Sequence, residues 1–145
     1  AGATGLGSNL ATQTLGEQRA GNLTITTGEL MVQDTARITV SSLGTGRAGD
    51  LEVKADSIRL DNQAAIIGES ALGGDGANIT LRSPTLLLLR HNSNISSTAG
   101  TLEAGGTGGN IIIDTADLVA LENSDITANA FSGNGGQVNI TAQGI

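Results

Sequence analysis

Apolar and polar residues alternate along this chain in short runs that keep recurring. The clearest run follows a polar residue: Leu23/Ile25, Leu51/Val53, Ile79/Leu81, Ile111/Ile113 and Val138/Ile140 share one parity. Such alternation predicts a β-strand with one buried face. Eight residues past the polar residue a second apolar pair appears, as Leu30/Val32, Ile58/Leu60, Leu86/Leu88 and Leu118/Ala120. A third set begins eight or nine residues further on, with Ile38/Val40, Ile66, Ile95 and Ile126/Ala128. A glycine-rich turn then leads back to the next polar residue. No window carries a 3.6-residue stripe, so connecting helices are not expected.

The polar residues that open the runs are Asn22, Asp50, Asn78, Asn110 and Gln137, at intervals of 28, 28, 32 and 27. A fixed period in this range means a solenoid or a propeller. Propeller blades hold four strands and carry aromatic signatures, which are missing here. Three short strands per repeat, each stacking on its counterpart, predict an all-β fold: a parallel β-helix of about five coils, each of about 28 residues. The general preference for right-handed crossovers makes it right-handed. The whole of 1–145 reads as one domain, with a partial coil at 1–20, full coils at 21–48, 49–76, 77–108 and 109–135, and a partial coil at 136–145.

This frame disposes of a tempting motif. Gly44-x-Gly46-x-x-Gly49 spells the dinucleotide-binding fingerprint, but a strand follows it where a helix N-terminus is required. "GTGRAG" occupies the same turn as "GEQRAG", "GGDGAN", "GGTGGN" and "GNGGQ". Its glycines are expected to serve φ > 0 conformations of that turn.

Composition narrows the function classes. The chain has 22 Gly, one Pro, no Cys, Trp or Tyr, a single Phe (Phe131) and a net charge of −7. Without a basic cluster, a nucleic-acid partner is not expected. No stretch approaches the ~20 apolar residues of a membrane-spanning helix. The N-terminus, "AGATGLGSNL", has no initiator Met and no signal-peptide pattern, and reads as part of a longer chain or fibre.

The stretch "GGNIIIDTADLVALENSDITANAFSGNGGQVNITAQGI" (108–145) resembles the repeat region of cyanobacterial filamentous-haemagglutinin-like exoproteins, which are exported by the two-partner route. The units from 21 to 107 follow the same grammar. The family's secretion domain is not seen, since Pro84 in "RSPTL" is the only proline. The resemblance implies a right-handed β-helix, secreted or at the outer cell surface, with structural, adhesive or matrix roles.

Among candidate chemical groups, the ladder Asn22, Asp50, Asn78, Asn110, Gln137 is the sharpest. Amides stacked at the ~4.8 Å strand spacing can bond along the solenoid and to turn backbone. Asp50 is the weak rung, because a carboxylate cannot donate. "GGDGAN" and "GGTGGN" resemble half of a calcium-binding nonapeptide, but recur about every 28 residues instead of every nine, with Asn78 and Asn110 where the acid belongs. No metal site or cofactor is expected. His91, the sole histidine, sits in a turn with no nucleophile or acid placed beside it by a motif, so an enzyme is not expected. On the outward columns, Lys54, Arg82 and Asp114 read as a charge-balanced ladder, and no regular Thr array or glycosidase-like carboxylate pair emerges. Asn22, Asn78, Asn94 and Asn139 begin N-x-S/T sequons that the repeat grammar itself generates.

In "TLLLLR" (85–90) and "DLVALE" (117–122) both parities are apolar. With Leu86/Leu88 and Leu118/Ala120 inward, Leu87, Leu89, Val119 and Leu121 face out as a candidate lateral interface. The alternative is a local bulge that turns a leucine inward. The pattern as a whole predicts a structural module of an extracellular fibre that self-associates by stacking end to end. The competing expectation is an adhesin that binds carbohydrate through a lateral face, against which the missing aromatics count.

Overall fold

The computed structural model describes residues 9–101, 105–120 and 122–145. They form ten strands and no helix: β1 (Asn9–Thr14), β2 (Leu23–Gln33), β3 (Arg37–Ser42), β4 (Leu51–Asp61), β5 (Ala65–Ser70), β6 (Ile79–Leu89), β7 (Asn94–Ala99), β8 (Ile111–Ala120), β9 (Asp125–Ala130) and β10 (Val138–Gly144). Odd strands pair in parallel as β1-β3-β5-β7-β9, and even strands as β10-β8-β6-β4-β2. Each coil contributes one rung to each sheet, which makes a parallel β-solenoid of about five turns.

The register follows the repeat. Leu23, Leu51, Ile79, Ile111 and Val138 stand in one column, as do Leu10, Ile38, Ile66, Ile95 and Ile126. In the middle coils these residues are dry: Leu51, Ile79, Ile111, Ile66 and Ile95 are at most 1 % exposed. Each such side chain contributes ~1.5–3 kcal/mol by leaving water, so the aliphatic columns are the main source of stability.

Two strands per coil are found where the spacing predicts three. The first two expected strands run together into one 10–11-residue strand in the middle coils. The two apolar sets survive as a change of phase inside it. In β4, Leu51, Val53 and Ala55 are buried on odd numbers, then Ile58 and Leu60 on even ones. The strand turns a corner at Asp56–Ser57 without leaving its ladder.

β6 turns the same corner with one residue more. Lys54 pairs with Arg82, but Ser57 pairs with Leu86, so the offset grows from 28 to 29 across Pro84. Proline has no N–H to give to a ladder and is accommodated at such a bulge. The extra residue reverses the parity of everything after it. Leu87 and Leu89 are therefore core residues with 0 % exposure, in the columns of Ile58 and Leu60. The expectation that Leu87 and Leu89 face solvent is overturned, and Leu86 and Leu88 are the half-buried pair.

The glycine-rich turn holds a second correction. Gly44, Gly46 and Gly49 do not take left-handed φ; among the described glycines only Gly73 and Gly100 do, at 87° and 74°. What these three require is room. A Cβ on Gly49 would overlap the carbonyl oxygen of Gly21, and one on Gly44 that of Gly16. The turns of successive coils stack backbone on backbone, and a methyl group does not fit between them.

Candidate functional site

Three of the four steps between the opening residues of the coils are bridged by an amide oxygen. The Oδ1 atoms of Asn22, Asn78 and Asn110 each accept the backbone N–H of the next rung, that of Asp50, Asn110 and Gln137, at 3.0 Å. Backbone bonds run beside them: Leu51 N–H donates to the Asn78 carbonyl and Ile79 N–H to that of Asn110. The amides thus satisfy turn N–H groups that the main ladder leaves over, and they do so at the surface: Asn22, Asn110 and Gln137 are exposed.

At Asp50 the ladder is charged. Arg19 Nη2 lies 2.6 Å from Asp50 Oδ2 and also donates to Asn22 Oδ1 at 2.9 Å, while Arg47 reaches Asp50 Oδ1 at 3.1 Å. Two guanidinium groups from consecutive coils clamp the rung that cannot donate. The signal was present in the shared "RAG" that precedes Asn22 and Asp50, three residues upstream of each rung.

The opposite turn carries the other cluster. Asp34/Thr35, Asn62/Gln63, His91/Asn92 and Glu122/Asn123 all hold φ between 52° and 65°. Ala36 N–H donates to the Gln33 carbonyl at 3.1 Å, closing a tight turn with two left-handed central residues, as in type I′. Left-handed φ costs ~1–2 kcal/mol per non-glycine residue, and β-branched Thr35 is the most strained of the set. Interlocking backbone bonds from coil to coil offset this: Thr35 N–H to Asn62, Gln63 N–H to His91 and Asn92 N–H to Glu122, at 2.9–3.0 Å.

Side chains on this turn reach across rungs. His91 Nδ1 donates to Asp61 Oδ1 at 2.5 Å, and its Nε2 lies 3.2 Å from Glu122 Oε2. Arg90 grips Glu122 with two bonds of 3.1 Å, one to each oxygen. Asn62 Nδ2 donates to Asp34 Oδ1 at 2.8 Å. The hydrogen bond from His91 holds the Asp61 carboxyl below its ordinary range, and the Arg90 bonds do the same for Glu122. Both ring nitrogens face carboxylates, so the imidazole bridges three successive coils. Sequence reasoning placed no acid beside His91, because Asp61 and Glu122 lie 30 and 31 residues away. That pairing is visible only once the inserted residue at Pro84 is counted.

The remaining expectations fall as follows. Lys54, Arg82 and Asp114 do stand in one column on successive rungs, while the ion pair of Lys54 runs along its own strand to Glu52 at 3.1 Å. Of the proposed lateral patch, Val119 is half-buried and Leu121 lies outside the described residues. Apolar exposure gathers instead at the turn after the odd strands, where Leu15, Leu43, Leu72 and Phe131 are 42–74 % exposed. Among the described residues no group of three or more His, Cys, Asp or Glu is arranged to hold a metal ion, and no helix is long and apolar enough to cross a membrane. Compared with protein-family models, curated proteins and solved structures, the chain matches none.

Proposed function

We propose that the chain is a structural module of an extracellular or cell-surface fibre or matrix protein, a right-handed three-faced β-helix whose coils continue end to end. The observation that supports this reading is the contrast between inner and outer rungs of one column. Ile111 and Ile113 are at most 1 % exposed, whereas Val138 and Ile140, one rung further on, are 38 % and 39 % exposed. On the other side, Leu10 is 48 % exposed where Ile66, two rungs in, is fully buried. Exposed aliphatic rungs with free strand edges are a surface on which a further coil can stack. Ile145 continues the logic: the register of β10 on β8 puts it in the column of Leu118 and Leu87.

The test is electron microscopy of the purified chain with light scattering over a range of concentrations. Filaments with a ~4.8 Å axial strand repeat are the expected result. Ile140→Lys, which places a charge on the outer rung, should abolish them while leaving the circular dichroism unchanged. A dispersed monomer at all concentrations overturns assembly between copies. Filaments indifferent to Ile140→Lys overturn the end-to-end contact.

A further inference from the structure

The glycine-rich turn carries a second column of backbone bonds beside the amide bridges. Ala20, Ala48, Gly76 and Gly108 each donate their N–H to a carbonyl of the next coil, those of Arg47, Asp75, Thr107 and Asn134, at 2.8–3.1 Å. Gly135, which follows Asn134, continues this column. The inner members are buried, whereas Gly135 is exposed and its N–H has no acceptor among the described residues.

Room distinguishes Gly135 as well. A Cβ on Gly76 or Gly108 would crowd the backbone nitrogen of Gly109 or Gly136, but one on Gly135 would meet nothing nearer than the Ala128 carbonyl oxygen at 3.5 Å. The side chain in front of it belongs to Asn134, which is exposed and makes no hydrogen bond through its amide. Of all the asparagines in the chain, only Asn134 precedes a glycine; the others precede Leu, Ile, Gln, Ser or Ala. Asp75–Gly76, two rungs inward in the same columns, shows the contrast. There the Gly76 N–H is bound to the Thr107 carbonyl at 2.9 Å, and Asp75 Oδ1 takes the Thr107 N–H at 3.0 Å.

We propose that Asn134–Gly135 is a self-modification site, at which the chain deamidates through a cyclic imide. The Gly135 nitrogen attacks Cγ of Asn134, a C–N bond forms, the Cγ–Nδ2 bond breaks, and ammonia leaves with the proton of the Gly135 N–H. Water then opens the ring. Cleavage on the Cγ side leaves aspartate; cleavage on the main-chain carbonyl side leaves isoaspartate, whose backbone runs through Cβ and Cγ. The reacting atoms sit on adjacent residues, so the first step is intramolecular. No Cβ shields the nitrogen, its N–H is committed to no carbonyl, and the amide is unanchored. Either product puts a carboxylate on this rung, and isoaspartate also converts the carbonyl that accepts the Gly108 N–H into a side-group carboxylate. The consequence for assembly rests on the fibre reading: a coil laid over this rung gives the Gly135 N–H an acceptor, as Thr107 does for Gly76, and stops the reaction.

The experiment is to incubate the dispersed, folded chain for days at neutral and mildly alkaline pH and to weigh its peptides. The peptide holding Asn134 should gain the mass difference between –OH and –NH₂ before any other asparagine does, faster at higher pH, and isoaspartyl methyltransferase should label it. Gly135→Ala, whose Cβ makes only an ordinary contact, should slow the conversion on the order of tenfold. Asp75→Asn places the same pair under a bound N–H, so its amide should convert on the order of tenfold more slowly than Asn134 in the folded chain, and as fast in urea. Melting curves establish that each variant is folded. Conversion at Asn134 no faster than at asparagines followed by Leu or Ile overturns the proposal, and so does a rate in the folded chain far below that in urea. Equal rates at positions 75 and 134 in the folded Asp75→Asn chain overturn it too, because a free N–H then does not select the site. In filaments Asn134 should be spared; conversion there at the dispersed rate refutes the covering of this rung and leaves the site itself standing.

Discussion

The two turns of each coil solve the same problem with opposite materials. Both must bring the chain round so that one rung lands on the next. The turn before the even strands does it with glycines, of which among the described ones only Gly73 and Gly100 take left-handed φ, and it stacks so closely that at several of them a Cβ would meet a carbonyl oxygen. The turn after them does it with left-handed φ at eight described positions, none of which is glycine. Glycine thus answers mainly to shortage of space in the first turn, while the second holds its left-handed torsions without any glycine. The strained turn leaves its side chains free in solvent, and that is where Asp61, Arg90, His91 and Glu122 interlock. One turn is built by backbone against backbone, the other by side chain across side chain.

The largest effect should come from filling the space in the first turn. Gly109→Ala puts a methyl group onto the carbonyl oxygen and carbon of Ala77, both rigid backbone, so a coil has to move. We expect a loss of ~2–4 kcal/mol, read as a melting temperature lower by roughly 6–15 °C. Gly135→Ala is the control: its Cβ would sit 3.5 Å from the nearest atom, the Ala128 carbonyl oxygen, an ordinary contact. If both variants melt alike, glycine in this turn is about unfolded-chain entropy and the steric account fails.

Much of this was legible in the sequence. Parallel stacking converts a period into contacts, so the positions of Asn22, Asp50, Asn78, Asn110 and Gln137 were enough to foresee the ladder, and the aliphatic columns were foreseen with it. What was not legible depends on counting one residue. Leu86 shares an offset of 28 with Ile58 in the sequence, but it is Leu87 that stacks on Ile58. Pro84 was the available sign, because a proline cannot sit mid-ladder without a bulge. The merger of two expected strands into one had no sign, since a corner that keeps its hydrogen bonds changes burial phase just as a turn does. The role of Gly44, Gly46 and Gly49 was likewise hidden: a sequence lists glycines without saying whether they answer to torsion or to space.

A middle-sized effect is expected from the ladder that joins the two sheets' return path. Asn78→Leu removes the oxygen that accepts Asn110 N–H and leaves that donor beside an apolar side chain. A single hydrogen bond of this kind contributes ~0.5–1.5 kcal/mol, so the melting temperature should fall by about 2–5 °C. Asn78 is half-buried, which keeps water from replacing the lost acceptor at no cost. An unchanged midpoint would mean that water does replace it, and that the amides decorate a turn which the backbone alone maintains.

The smallest effect belongs to the strained turn and is read by pH. The folded-state values of Asp61 and Glu122 lie below their ordinary 3.8 and 4.5, the first through the hydrogen bond from His91 and the second through those from Arg90. A depressed carboxyl stabilises the fold fully above its unfolded value and stops doing so as pH falls through the lower folded one. The loss is therefore confined to the acid side, beginning near pH 5 and complete below the folded values. Both groups are solvent-screened, so a drop of only a few degrees in melting temperature is expected over that window. The double variant His91→Gln, Arg90→Gln removes the chief cause of each depression and should flatten the acid slope while moving the neutral-pH midpoint little. Gly109→Ala should lower the midpoint at every pH and leave the slope as it was. If instead the acid slope persists in the double variant, the carboxyls that set it lie elsewhere. The division of labour between the two turns would then fail, because the interlocked side chains of the strained turn would not be what holds the fold against acid.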